Sequence, residues 1–246
     1  MLHLADYGQS AVLSKELVSF LFYSVSAWAM AMVILSSIGS STTIIAADEE
    51  DFEENSLIKI CCTWGKDLAD GILTYSIVGN VDAEKKEAVH DAIQDWDDKI
   101  ESIKFVEVSG EQENDNRPDI QIRFVDDGDE FKDEGPETAG NTKTRLDKSG
   151  FIDYNTIIIA EGGLGKIFDI KTIETIAKHE IGHALGLGHA NFGSNLMTTK
   201  IESAAQAISS CELEAVRQAN SWKLMNENKH DNSPSFPKTT TIICGS

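Results

Sequence analysis

His179-Glu180-Ile181-Gly182-His183-Ala184-Leu185-Gly186-Leu187-Gly188-His189 is the stretch on which the reading of this chain turns. Side chains four apart on a helix leave from one face, so His179 and His183 can approach a single ion together. Glu180 stands beside His179, on the side where an attacking water would lie. Gly186 can take the positive-φ turn that ends the helix, and that turn returns His189 as a third imidazole. Three neutral nitrogen donors with one position open suit a catalytic zinc, whereas a structural zinc more often has a closed shell containing cysteine. The chain has six histidines. HExxH alone would arise by chance in about one per cent of such sequences, and Gly186 with His189 at fixed spacing lowers that to the order of 10⁻⁵. The expectation is one zinc held by His179, His183 and His189, with Glu180 as general base.

Working outward, strands and helices alternate around the motif. Asp169 is placed to cap the helix that carries it. The preceding run Thr156-Ile157-Ile158-Ile159-Ala160 is β-branched throughout, as in a strand buried on both faces. Ile120, Ile122 and Phe124 alternate as on a half-buried strand, Phe105, Val106 and Val108 form a short one, and residues 72–78 form another, closed by the turn pair Gly79-Asn80. Asp82 is placed to cap a helix with Ala88, Val89, Ala92, Ile93 and Trp96 on one face. A last helix is expected over residues 209–224. No internal repeat interrupts this order, and the fold class is α/β in a single unit.

Eight residues after His189 comes Met197, in Ser194-Asn195-Leu196-Met197. With the zinc motif, this spacing resembles the metzincin metalloproteases and most closely their matrixin branch. Leu73-Thr74-Tyr75-Ser76-Ile77 is similar to that family's first strand, and residues 87–108 to its first helix and second strand. Ala139-Gly140-Asn141-Thr142, with Gly150-Phe151-Ile152 and residues 156–160, resembles its edge strand and the strand before the active-site helix. Ala190 stands where classical matrixins carry Ser, and Thr199 where astacins and serralysins carry Tyr. No histidine lies between His90 and His179, so the second, structural zinc of animal matrixins is not expected.

The resemblance implies a zincin-like catalytic domain: a twisted, mainly parallel sheet of about five strands with three helices, and Met197 in a tight turn under the zinc. It implies a zinc metalloendopeptidase that hydrolyses polypeptides. Its substrate would lie extended along Ala139, Gly140, Asn141 and Thr142, adding a strand through main-chain bonds. The rival class is an inactive metzincin fold serving as a surface binding module. Such a member is expected to have lost its base, and Glu180 is intact.

Residues 17–38 carry no charge and are long enough to approach a bilayer span, so an N-terminal hydrophobic helix is expected as signal peptide or membrane anchor, with the rest outside the cytoplasm. Residues 48–57 are an acidic stem, 58–226 the protease domain, and 227–246 a polar tail. The net charge of −20 argues against a basic surface for nucleic acid, and a monomer is expected. Cys61, Cys62, Cys211 and Cys244 are an even set in an exported chain. A bond between neighbours would be strained, so Cys61 and Cys62 are each expected to pair with one of Cys211 and Cys244. The family fold brings the domain's start near its last helix, which suits a bridge to Cys211. The competing role for Cys244 is a thiolate on the open zinc position. The acidic stretch Asp126-Asp127-Gly128-Asp129-Glu130 is a possible calcium loop, although Phe131 falls on a ligand position of the EF-hand pattern.

Overall fold

The computed structural model describes residues 7–13, 56–109, 117–126, 131, 138–163, 165–193, 195–201, 206–224 and 241–244 of the 246-residue chain. All of them belong to one compact unit. In chain order its elements are β1 (Tyr7–Leu13), β2 (Leu57–Ile60), β3 (Ile72–Val78), α1 (Ala83–Asp97), β4 (Lys104–Glu107), β5 (Ile120–Val125), β6 (Thr138–Leu146) and β7 (Ile152–Ala160). There follow the two-residue strands β8 (Gly162–Gly163) and β9 (Lys166–Ile167), then α2 (Ile170–Ala184), β10 (Leu187–Ala190), β11 (Lys200–Ile201), α3 (Ser210–Ala219), α4 (Ser221–Leu224) and β12 (Thr241–Ile243).

The main sheet has the order β11-β1-β6-β7-β5-β3-β4. β3 runs parallel to β4 and β5, and β5 parallel to β7, while β6 is antiparallel to β7. Those five strands with their helices are the α/β architecture expected of a metzincin catalytic domain. The β-branched run in β7 has its reason in burial on both faces. Ile157 and Ile159 enter the core shared with the helices, while Ile158 and Ala160 pack on the other face with Phe131. Helix α1 starts at Asp82, whose carboxylate accepts the Lys85 amide at 2.9 Å. It buries Ala88, Val89, Ala92, Ile93 and Trp96, and the Trp96 indole N–H reaches the Lys178 carbonyl of α2 at 2.9 Å.

Three features depart from the sequence reading. The helix expected over residues 209–224 is broken between α3 and α4 at the fully buried Asn220. Its side chain bonds outside the helix, to the Leu185 carbonyl (2.9 Å) and the Trp64 amide (3.2 Å). Second, β2 pairs with β10 and β12 in a separate three-stranded sheet, so Thr241–Ile243 of the expected polar tail is a strand. Third, Tyr7–Leu13 is a strand of the main sheet, antiparallel to β6 and parallel to β11.

The disulfide expectation is overturned. Cys61 bonds Cys62, and Cys211 bonds Cys244. Register explains it. β12 aligns Ile243 with Leu57, and the Cys244 amide bonds the Ser56 carbonyl at 2.7 Å, so Cys244 emerges at the Ser56 end of β2. Cys61 lies past the opposite end, about 16 Å away at the rise of an extended strand. Cys211, in the first turn of α3, has its Cα 5.4 Å from that of Cys244, within bridging range. Cys244 is therefore a staple for β12, with no thiol to offer a metal.

Among the described residues no helix is long and apolar enough to cross a membrane. The apolar run 17–38, the acidic stretch 48–54 and residues 127–130 of the possible calcium loop lie outside them.

Candidate active site

The site is built on the C-terminal half of α2. Asp169 caps the helix by accepting the Thr172 amide at 2.8 Å, and the helix ends at Gly186, whose φ is 99°. Only glycine fits there, because a Cβ would meet the Cys62 carbonyl oxygen at 2.4 Å in addition to the strained φ. Three side chains tie down this helix end. The Trp64 indole N–H (2.9 Å) and the Asn155 amide (3.3 Å) donate to the Ala184 carbonyl, and Asn220 donates to that of Leu185. The chain then turns into β10, which carries His189.

His179, His183 and His189 converge, with one ligand atom from each lying within 4.8 Å of the others. His179 Nδ1 is 2.6 Å from the Leu196 carbonyl, and His183 Nδ1 is 2.9 Å from that of Leu187. A carbonyl only accepts, so both rings carry their proton on Nδ1 and present a bare Nε2. Those Nε2 atoms are buried and meet no hydrogen-bond donor among the described residues. Burial pushes the His179 pKa down to about 3, against the opposing pull of the Leu196 bond, and likewise takes His183 well below its usual value. Neutral, oriented imidazoles with unused lone pairs are what zinc requires, so the residues present fit the ion.

Glu180 is fully buried beside the triad. Its Oε2 accepts the Thr142 hydroxyl at 2.7 Å. Gly140, on the same strand, leaves room for the other oxygen, since a Cβ there would stand 2.6 Å from Glu180 Oε1 and 2.8 Å from Ile176 Cγ2. Ala139, Gly140, Asn141 and Thr142 are all buried in β6. The structure thus brings Gly140 and Thr142 of the expected edge residues against Glu180, but the outer edge of β6 is paired with β1 rather than open.

Met197 lies under α2 and is fully buried. Gly182 admits it, because a Cβ at that position would fall 2.5 Å from the Met197 sulfur. The turn is held by Asn195, which accepts the Met197 amide at 2.9 Å, and by the Ala190 amide, which donates to the Met197 carbonyl at 2.7 Å.

Sequence reading missed what anchors this turn from outside. Glu212, fully buried in α3, accepts the Leu196 amide through Oε1 and the Ser209 amide through Oε2, both at 2.8 Å. Since the Leu196 carbonyl receives His179, Glu212 is linked to the triad through the backbone of one residue, Leu196. The spacing Ser209-x-x-Glu212 was visible as a capping box, but its reach to residue 196 has no local signal. Asn220 was missed for the same reason.

A model of the matrixin family matches residues 63–218. Among solved structures the chain is similar to myroilysin, at 13% identity and TM-score 0.40, covering 64% of this chain and 82% of that one. Archaemetzincin from Methanopyrus kandleri gives 10% identity and TM-score 0.39, covering 61% and 96%. The hatching enzyme of the medaka Oryzias latipes, a zinc protease, gives 18% identity and TM-score 0.30, covering 52% and 50%. No curated protein matches the chain. The family match takes in more than half of the chain, including the triad, Glu180 and Met197, and the protein belongs to the matrixin family, with a metalloprotease fold.

Proposed function

We propose that the protein is a zinc-dependent endopeptidase that cuts polypeptides outside the cytoplasm. The observation that carries this reading is the pair of buried, unsatisfied Nε2 atoms on His179 and His183, converging with His189 beside the carboxylate of Glu180. His179, His183 and His189 would hold the ion, which when bound lowers the pKa of water and polarises a carbonyl.

The chain's own groups do the rest. Glu180 takes a proton from the attacking water and passes it to the nitrogen of the leaving amine. The Thr142 hydroxyl holds Glu180 Oε2 and so fixes the direction in which the other oxygen is offered. An extended substrate would add to the main chain of β6, in place of β1 on that edge, which suits cleavage within a chain. Two disulfides and the apolar run 17–38 support a location outside the cytoplasm; the expected signal or anchor of residues 1–47 does not include Tyr7–Leu13, which form a strand of the main sheet. The test is to incubate the purified chain with casein, with and without a chelator. Cleavage that stops on chelation and returns with added zinc is expected. Cleavage indifferent to the chelator, or no cleavage with zinc bound, would remove the reading.

A further inference from the structure

The two disulfides differ in what they close. Cys211–Cys244 joins residues 33 apart, and a bridge of that kind stabilises by closing a loop in the unfolded chain. Cys61–Cys62 joins sequence neighbours and closes nothing beyond its own small ring, so loop entropy gives it almost nothing. It also stands just ahead of residues 63–218, the stretch that the matrixin family accounts for. Neither global stability nor family membership explains the pair.

Its position does. The Cys61 amide donates to the Gly186 carbonyl at 3.0 Å, and the Cys62 carbonyl oxygen lies where a Cβ on Gly186 would meet it at 2.4 Å. Ile60, one residue earlier, is paired with Leu187, whose carbonyl receives His183 Nδ1 at 2.9 Å. His189 follows two residues after Leu187. On the other side, the Trp64 indole holds the Ala184 carbonyl at 2.9 Å. Residues 60–64 are thus a strap across the turn that joins His183 to His189. Within that strap Cys61 is exposed and Cys62 is buried.

We infer that Cys61–Cys62 is a reactive site for small dithiols, and that its reduction loosens the grip of the histidines on zinc. This rests on the zinc reading of the triad. A thiolate of the reagent attacks the exposed Cys61 sulfur, the bond between the cysteines breaks, and Cys62 leaves as a thiolate that takes up a proton. The reagent's other thiolate then displaces Cys61, which is protonated in turn, and closes the reagent's own disulfide. Two electrons and two protons pass from the reagent to the chain. The ring had fixed the dihedrals between the two Cα atoms. The groups that grip Gly186, the Cys61 amide and the Cys62 carbonyl, flank those dihedrals. Once they are free, the strap shifts, and the Leu187 carbonyl and His189 lose their fixed place.

The experiment uses the full chain, prepared metal-free, treated with limiting dithiothreitol and desalted without oxygen. Alkylation with iodoacetamide and peptide mass locate the thiols, and zinc is titrated in competition with a chromophoric chelator. Cys61 and Cys62 should be alkylated at reductant levels that leave the half-buried Cys211 and Cys244 bonded. The Kd for zinc should rise about tenfold, and return when the pair is reoxidised. Reduction of Cys211–Cys244 first, or a Kd unchanged or lower with the pair reduced, would overturn the inference and leave the zinc reading standing. If the untreated chain takes up no zinc, both fall together.

A second readout needs neither metal nor variant. Amide exchange over Leu187–Ala190 of the metal-free chain should quicken at least about tenfold on reduction of the pair, and unchanged exchange would show that the strap does not hold the turn. Cys61→Ser with Cys62→Ser removes the bond without leaving thiols. That chain should bind zinc about as weakly as the reduced wild type and give no response to dithiothreitol. Zinc affinity equal to that of the oxidised wild type would contradict the inference.

Discussion

The floor and the edge of the site are built by different means. The floor is α2 with the Met197 turn, and it is fixed by buried side chains of definite identity. Glu212 grips the Leu196 amide, Asn220 and Trp64 grip the end of α2, and glycines at 182 and 186 admit a sulfur and a carbonyl where any Cβ would collide. The edge is β6 under β1, and the contact recorded there is register between two main chains. A floor made this way tolerates little and can hold a metal. An edge made from main chain accepts any extended sequence, its own included.

The comparison breaks most readily at the ligands. His183→Ala should take zinc from one per chain to none and abolish casein cleavage. The loss in zinc affinity should be at least about 10²-fold, beyond what outer-shell changes cost. Elemental analysis after desalting reads this directly.

The second test is acid. In the metal-free chain His179 and His183 have folded pKa values pushed below the unfolded value, so their contribution to stability is full above about pH 6.5. As pH falls below that, the unfolded chain takes up protons that the folded chain refuses. Stability should drop with acid, on the order of 3 kcal/mol by pH 4 from His179 alone, with its folded pKa near 3. Denaturant melts of the chelated chain at several pH values check the slope, which should be shallower in His183→Ala.

The third is Glu212→Ala, which strands two main-chain donors in the interior and should cost about 2–3 kcal/mol. Zinc affinity should fall about tenfold through the displaced Leu196 carbonyl. The smallest effect belongs to the edge. Ala11→Pro should lower global stability by about 1 kcal/mol or less, since it removes one donor at a sheet margin. A loss as large as that of Glu212→Ala would mean that β1 belongs to the folded core, and the contrast would fail.

The same contrast explains what could be read in the sequence. The zinc motif, the two helix caps at Asp82 and Asp169 and the strand at residues 156–160 are local patterns, and the structure bears out the elements they announce. Cys61 and Cys62 misled because pairing depends on the register of β2 with β12, two short strands that lack a pattern of their own. β1 was hidden in the same way: Tyr7–Leu13 has little alternation, and its place follows from β6 having an edge to cover. Glu212 was not singled out, and its reach has no local signal, because the amide it holds is 16 residues away.

The central claim is that His179, His183 and His189 hold a zinc ion on which Glu180 acts as base. Measuring zinc content and casein cleavage together in Glu180→Gln tests it most directly. The account predicts one zinc per chain, an unchanged melting profile and proteolysis reduced by about 10²–10⁴-fold. Wild-type proteolysis in that variant, or zinc lost with the carboxylate, would contradict it.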